Sequence, residues 1–120
     1  MSDGGNPREW IAEYIPDLEQ RMNAFAVEAM EMDEELKEAF CSELALQSGE
    51  LEAGLRDNDH ERIRRAAHSI KGMGGTIGLP EISVLAEEIG SCVKEGREER
   101  CAELARAFIQ WSRNYTGQGS

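Results

Sequence analysis

Apolar residues recur at steps of three and four along nearly the whole chain, and this spacing is typical of amphipathic helices. No segment alternates apolar and polar residues as a strand on a sheet surface would. The pattern predicts a short helix or turn over about residues 8–14, followed by helices over about residues 16–30, 34–56, 60–77, 80–95 and 98–115.

Several of these predicted helices carry recognisable signals at their ends. Asp33 and Asp59 are placed to act as N-caps, since a short side-chain oxygen can accept from the free N–H groups of the first turn. Gly78 and Gly96 follow the predicted helices directly, at the position where a glycine commonly ends a helix. Pro80 suits the first turn of the helix over residues 80–95. The short loops between the last four helices require neighbouring helices to be antiparallel.

We therefore predict an all-α fold, an antiparallel up-down four-helix bundle with an additional N-terminal helical segment. The expected organisation is an N-terminal helical extension over residues 1–32, the bundle over 33–116 and a flexible tail over 117–120. Trp10, Tyr14 and Phe25 would be exposed unless the extension packs on the bundle. Capping of one end of the bundle is the favoured role, and lengthening of the first bundle helix or self-association are the alternatives.

Length and charge narrow the classes of function. A chain of 120 residues is expected to form one domain with its own core. The net charge of −11 argues against nucleic acid or an anionic membrane as a partner. The three cysteines show no CxxC or Cys/His metal spacing, and buried free thiols are expected. With neither a long apolar run nor a signal peptide, a cytoplasmic protein is predicted. A monomer is expected.

The predicted helix over residues 60–77 has one buried side and presents a histidine on the other. Ile63, Ile70 and Ile77 are spaced by seven residues and share one stripe, since successive helical residues are rotated by about 100°. By the same arithmetic His68 lies roughly 160–180° from Ile70 and Ile77. The imidazole is therefore predicted to face solvent.

Glycines surround this histidine in an unusual number. Gly72 and Gly75 are predicted on the outward face of the helix beside His68, whereas Gly74 lies beside the buried stripe and is explained by close helix packing. A glycine inside a helix costs roughly 1 kcal/mol relative to alanine. The outward glycines are explained if another macromolecule must approach the imidazole closely.

A basic cluster stands on the same helix of this acidic protein. Lys71 and Arg64 lie three and four residues from His68, and Arg62 and Arg65 are nearby. These cations suit a negatively charged group brought to the imidazole. The alternative is that they are merely the solvated face of a helix, which fits Arg62 better than Lys71.

The run Ala67-His68-Ser69-Ile70-Lys71-Gly72, followed by Ile77-Gly78, resembles the signature of histidine-containing phosphotransfer (HPt) domains. That signature has an exposed histidine, a lysine three residues later, a glycine four residues later and an aliphatic–glycine pair at the helix end. The resemblance extends over about residues 34–115.

The resemblance implies that His68 is the phosphoacceptor, through Nε2, and that Lys71 stabilises the phosphoryl group. It implies a phosphorelay carrier without kinase activity, whose partners are a response-regulator receiver domain, a hybrid histidine kinase or both. Mg²⁺ and most catalytic groups would then reside on the receiver, with no metal or cofactor on this chain. Partner contacts are expected from Arg64, Arg65, Ser69, Gly72, Met73 and Gly75, although a core position for Met73 is equally open.

Four other interpretations compete with this one. The main alternative is a helical-bundle adaptor that binds a receiver domain or kinase without being phosphorylated. A phosphate-binding glycine loop is disfavoured because residues 71–78 lack the third glycine of GxGxxG. A metal or haem site would need ligands facing the bundle interior, and His68 faces outward. A histidine-kinase dimerisation domain is disfavoured because the chain has no room for an ATP-binding domain.

Overall fold

The computed structural model describes residues 7–25 and 33–116, and these ranges contain six helices and no strand. The helices are α1 (Arg8–Tyr14), α2 (Leu18–Met22), α3 (Glu34–Asp57), α4 (His60–Gly74), α5 (Pro80–Glu95) and α6 (Glu98–Thr116). The predicted all-α class is confirmed.

Helices α3 to α6 form the antiparallel four-helix bundle. Helix α4 packs between α3 and α5, and α6 packs against both α3 and α5. One continuous hydrophobic core fills the bundle, and it contains the aromatic residues Phe108 and Trp111 of α6 besides aliphatic ones. The site described below lies outside this core, on the surface formed by α4 and α5.

The bundle turns follow the predicted capping residues. Asp33 accepts a hydrogen bond from the backbone N–H of Leu36 at 2.8 Å, and Asp59 accepts one from that of Arg62 at 3.2 Å. Helices α3 and α5 end on a residue in the left-handed region, with φ of 55° at Asn58 and 76° at Gly96, and the turn after α4 contains Gly78 with φ of 79°.

Gly78 closes the helix that carries His68. The Leu79 N–H donates to the Gly74 carbonyl at 2.8 Å, and the Gly78 N–H donates to that of Gly75 at 3.1 Å. This pair of bonds is the Schellman arrangement, which satisfies carbonyls at the end of a helix. Gly78 therefore takes the predicted terminal position, although regular α-helix ends at Gly74.

The backbones of α4 and α5 come into direct contact where the two helices cross, at Gly74 and Ser83. A Cβ added at Gly74 would lie 2.7 Å from the Ser83 nitrogen and 3.0 Å from the Leu79 carbonyl oxygen. Beside this contact the Ser83 hydroxyl donates to the Lys71 carbonyl at 2.7 Å. The close approach expected at Gly74 is confirmed, and it fixes which residues of α5 lie opposite His68.

The N-terminal helices pack on the side of α5. Ile11, Ile15 and Leu18 are fully buried and belong to the same core as the bundle. Six consecutive residues of α5, from 81 to 86, are buried, which a helix shows only when it is covered on all sides. The extension thus covers a side face of the bundle along α5.

The helix predicted over residues 16–30 is shorter in the structure. Pro16 lies in the turn between α1 and α2, and α2 ends at Met22. Beyond the C-cap Asn23, the N–H groups of Ala24 and Phe25 donate three residues back, at 3.2 and 3.0 Å, which tightens the chain into a turn. Residues 26–30 of the predicted helix, residues 1–6 and the tail over 117–120 lie outside the described ranges.

Candidate functional site

His68 lies on the outer face of α4, as the helical pattern predicts. Its side chain is exposed, whereas Ile63 and Ile70 on the opposite face are buried. The imidazole is therefore accessible to a partner while the helix that carries it is held by the core.

The imidazole borders an open groove between α4 and α5. Ala67, Ala86 and Gly90 contribute small side chains to this groove, and a Cβ added at Gly90 would meet nothing within 4 Å. The surface beside the histidine is thus open to a group from another molecule. The full lining is Arg64, Ala67, His68, Lys71, Ala86, Glu87, Gly90, Ser91 and Lys94.

Two lysines bring unpaired positive charge to the groove. Lys71 is half-buried on α4, and Lys94 is exposed on α5. Neither ammonium group pairs with a carboxylate of residues 7–25 or 33–116. Both are therefore free to meet an anionic group delivered to His68.

The arginines of the basic cluster are engaged on the surface. Arg64 donates to Glu61 through Nη2 at 2.6 Å and Nε at 3.2 Å, and Arg65 lies 3.9 Å from the same carboxylate. The bonds from Arg64 lower the pKa of Glu61. Arg62 instead pairs with Glu50 of α3 at 2.8 Å and ties α3 to α4. The structure thus brings Lys71 to the groove as a free cation and Arg64 as a paired one.

The predicted partner-contact residues divide by burial. Ser69 and Gly72 are exposed, and a Cβ added at Gly72 would meet nothing within 4 Å. Met73 is only 8% exposed and belongs to the core, so the core alternative for this residue is correct. The prediction that Gly75 faces outward is wrong, because the chain beyond Gly74 bends back to cap the helix end and Gly75 is buried there.

Five groove residues come from α5 and were not predicted to lie beside the histidine. They are Ala86, Glu87, Gly90, Ser91 and Lys94, which lie 18 to 26 positions after His68 in the chain. Counting back from the tight turn after Gly74 along two antiparallel helices would have placed them near the histidine.

The second histidine and two cysteines line a different cavity, near the α3–α4 and α5–α6 turns. His60 Nε2 lies 3.4 Å from a carboxylate oxygen of Glu98, and the cavity also contains Cys92 and Cys101. All three cysteines are free, and burial raises the pKa of Cys101 to about 11. Burial also raises the pKa of Cys92, so the thiols of Cys92 and Cys101 are protonated and poorly nucleophilic at neutral pH.

Within the described residues, no three His, Cys, Asp or Glu side chains are grouped so as to hold a metal ion. Nor does that part of the chain contain a helix long and apolar enough to cross a membrane.

A four-helix bundle that presents one histidine beside free ammonium groups has the architecture of a histidine phosphotransfer domain. The sequence model of the Hpt domain family matches residues 35–115, well over half of the chain. The chain belongs to the Hpt domain family, and the resemblance seen in the sequence is confirmed. No curated protein and no solved structure matches it in the corresponding comparisons. Hpt domains are phosphoryl carriers that interact with receiver domains and kinases in phosphorelays.

Proposed function

We propose that the protein is a histidine phosphotransfer protein of a two-component phosphorelay, with His68 as the residue that accepts and donates the phosphoryl group. The observation that carries this proposal is the exposed imidazole in a groove that Lys71 and Lys94 supply with unpaired positive charge. The phosphoryl group would come from, and pass to, the aspartates of receiver domains.

The transfer step needs little from this chain beyond a positioned nucleophile. The lone pair of His68 Nε2 attacks phosphorus in the aspartyl phosphate, and the P–O bond to the aspartate breaks. The electron pair of that bond returns to the aspartate carboxylate, and the proton on Nδ1 stays on the ring as the N–P bond forms. Reversal of these events returns the phosphoryl group to a receiver.

The groove supplies electrostatic stabilisation for this step. Phosphoryl transfer depends mainly on positioning and on cations that meet the three equatorial oxygens. Lys71 and Lys94 stand on opposite walls of the groove, so a phosphoryl group on His68 would lie between two helices that each provide an ammonium group. We propose that the remaining catalytic groups, including Mg²⁺, belong to the receiver and that this chain is a carrier without kinase activity.

The receiver is proposed to dock over the outer face of α4. Arg64, Arg65, Ser69 and Gly72 are exposed or open there, and Gly72 leaves room for close approach beside the imidazole. A monomer acting in the cytoplasm with a receiver domain, a hybrid histidine kinase or both as partners fits this arrangement.

The proposal is tested by phosphotransfer from a panel of phosphorylated receiver domains. Wild type should acquire an acid-labile, alkali-stable label and His68→Gln should acquire none. His60→Gln is the matched control, since it removes the only other histidine of the sequence and should be labelled normally. If no receiver labels folded wild type, the proposal fails and the unphosphorylated adaptor becomes the better interpretation. Label that persists in His68→Gln would show that another residue is the acceptor.

A further inference from the structure

One carboxylate lies among the lining residues of the His68 groove. Glu87 is on α5, with its side chain 37% exposed. Its charge has the same sign as a phosphoryl group, and a carboxylate can form ion pairs with ammonium groups such as those of Lys71 and Lys94. An unrestrained Glu87 would therefore oppose the chemistry that the rest of the groove favours.

Glu87 is restrained by a residue of the N-terminal extension. Arg21 of α2 donates through Nη2 to Glu87 Oε1 at 2.9 Å and through Nη1 to Glu88 Oε1 at 2.8 Å. Burial alone would lower the pKa of Arg21, but its bonds to the two carboxylates raise it above the ordinary value. The guanidinium therefore stays charged and neutralises one carboxylate at the groove.

The core holds Arg21 in this position. Leu18 and Met22, on the same short helix, are both buried against the bundle. A second arginine ties the extension to the bundle separately, because Arg100 Nη2 donates to the Tyr14 carbonyl at 2.8 Å and its Nε lies 3.4 Å from Glu88 Oε2. Arg21 thus reaches Glu87 from a segment that is anchored independently of the groove.

We propose that Arg21 is a positioning residue for phosphoryl transfer at His68. By holding the Glu87 carboxylate at the edge of the groove, it leaves Lys71 and Lys94 free for the phosphoryl group. This inference rests on the proposed function and gives the N-terminal extension a role in the reaction as well as in packing.

The test compares an anionic with a neutral reagent at His68, without any receiver. Phosphoramidate transfers its phosphoryl group to an imidazole nitrogen and releases ammonia, and its approach depends on the charge of the groove. Diethylpyrocarbonate is uncharged and modifies imidazole by carbethoxylation. Both products at His68 are followed by peptide mass spectrometry, at pH 8 and at low salt, where surface charges are least screened.

Arg21→Met should slow phosphorylation by phosphoramidate about 3- to 10-fold, the effect of one released surface charge near the reacting group. Carbethoxylation should change by less than about twofold, because that reagent has no charge to repel. The double variant Arg21→Met/Glu87→Gln should regain most of the lost phosphorylation rate, since the carboxylate that Arg21 restrains is then gone. Raising the salt to about 0.5 M should shrink the difference between Arg21→Met and wild type.

Arg100→Met is the matched control. It removes an arginine that bonds Glu88 and the extension but leaves the contact between Arg21 and Glu87 intact. Its phosphorylation rate should stay within about twofold of wild type even where its melting temperature falls.

Three results would overturn the inference alone. The first is an unchanged rate of phosphorylation by phosphoramidate in Arg21→Met, and the second is a double variant as slow as Arg21→Met. The third is a slowing in Arg100→Met equal to that in Arg21→Met, which would show that docking of the extension matters and the charge of Glu87 does not. Wild type that is carbethoxylated at His68 but is phosphorylated there neither by phosphoramidate nor by any receiver would instead overturn the proposed function, and the inference with it.

Discussion

Gly72 and Gly74 are two residues apart on α4, yet a methyl group added at each meets opposite surroundings. At Gly72 the new Cβ would have nothing within 4 Å. At Gly74 it would lie 2.7 Å from the backbone nitrogen of Ser83 and in still closer contact with the Ser83 hydroxyl oxygen. Since backbone atoms cannot rotate away as side chains can, α4 and α5 would have to separate at Gly74 but not at Gly72.

The magnitudes follow from these contacts. Gly72→Ala should raise the free energy of unfolding by about 1 kcal/mol, the difference in helix propensity, and the melting temperature by about 3–5 °C. Gly74→Ala should lower the free energy of unfolding by about 2 kcal/mol, because overpacking costs about 1–3 kcal/mol and the Ser83–Lys71 hydrogen bond is strained as well. Urea unfolding followed by circular dichroism measures both changes, with Gly49→Ala, another open position in a helix, as the reference for propensity alone.

The same substitution, Gly72→Ala, should impair phosphotransfer although it stabilises the fold. If a receiver docks over this glycine, the added methyl group should slow transfer from the receiver about tenfold, a loss of roughly 1.4 kcal/mol of transition-state stabilisation. Phosphorylation of the same variant by phosphoramidate should be unchanged, because no protein surface then covers the helix. A Gly72→Ala protein that is more stable and accepts phosphate from receivers at the normal rate would refute the argument that a receiver docks over Gly72. A Gly72→Ala protein that is less stable would refute the conclusion that the space around Gly72 is open.

Three further predictions concern the groove and the extension. Lys94→Met should slow transfer about tenfold by removing one of the two free cations, whereas Lys37→Met, on the first turn of α3, should not. Leu18→Ala should cost about 2–4 kcal/mol in urea unfolding because the residue is fully buried, while the exposed Gln20→Ala should stay within about 0.5 kcal/mol. Burial raises the pKa of Glu88, but hydrogen bonds and charge from Arg21 and Arg100 outweigh burial and lower the pKa overall. The ionised Glu88 therefore stabilises the fold fully above the unfolded pKa of about 4.3. This contribution is lost as the pH falls through the lower pKa of the folded state. Glu88→Gln should therefore flatten the dependence of unfolding free energy on pH below about pH 4.5, which acid titration of both proteins would show.

The outward direction of His68 could be predicted from sequence because it depends on local geometry alone. The rotation per residue of one helix sets it relative to Ile63 and Ile70, and tertiary packing did not alter that rotation. The caps at Asp33 and Asp59 were predictable for the same reason, since each bonds a backbone N–H three residues away.

Features that depend on tertiary packing between distant parts of the chain could not be predicted from the sequence. Gly75 shares the outward face on a projection of an isolated helix, but the projection omits the turn that closes over the helix end. Lys94 enters the groove only because Gly74 and Ser83 set the register of α4 and α5. The contact between Arg21 and Glu87 joins residues 66 positions apart.

Helix α5 connects these observations, because one of its faces forms the wall of the groove while another supports the extension. Glu87 and Lys94 lie in the groove, and Glu87 also bonds Arg21 of α2. Any displacement of the extension therefore acts on the charge beside His68 as well as on the core, to which Ile11, Ile15 and Leu18 belong. A Leu18→Ala protein that stays folded but partly releases the extension should consequently lose phosphorylation by an anionic donor more than carbethoxylation, and Glu87→Gln should reverse that loss without restoring stability. If stability and phosphorylation recover only together, the extension serves the fold and not the groove.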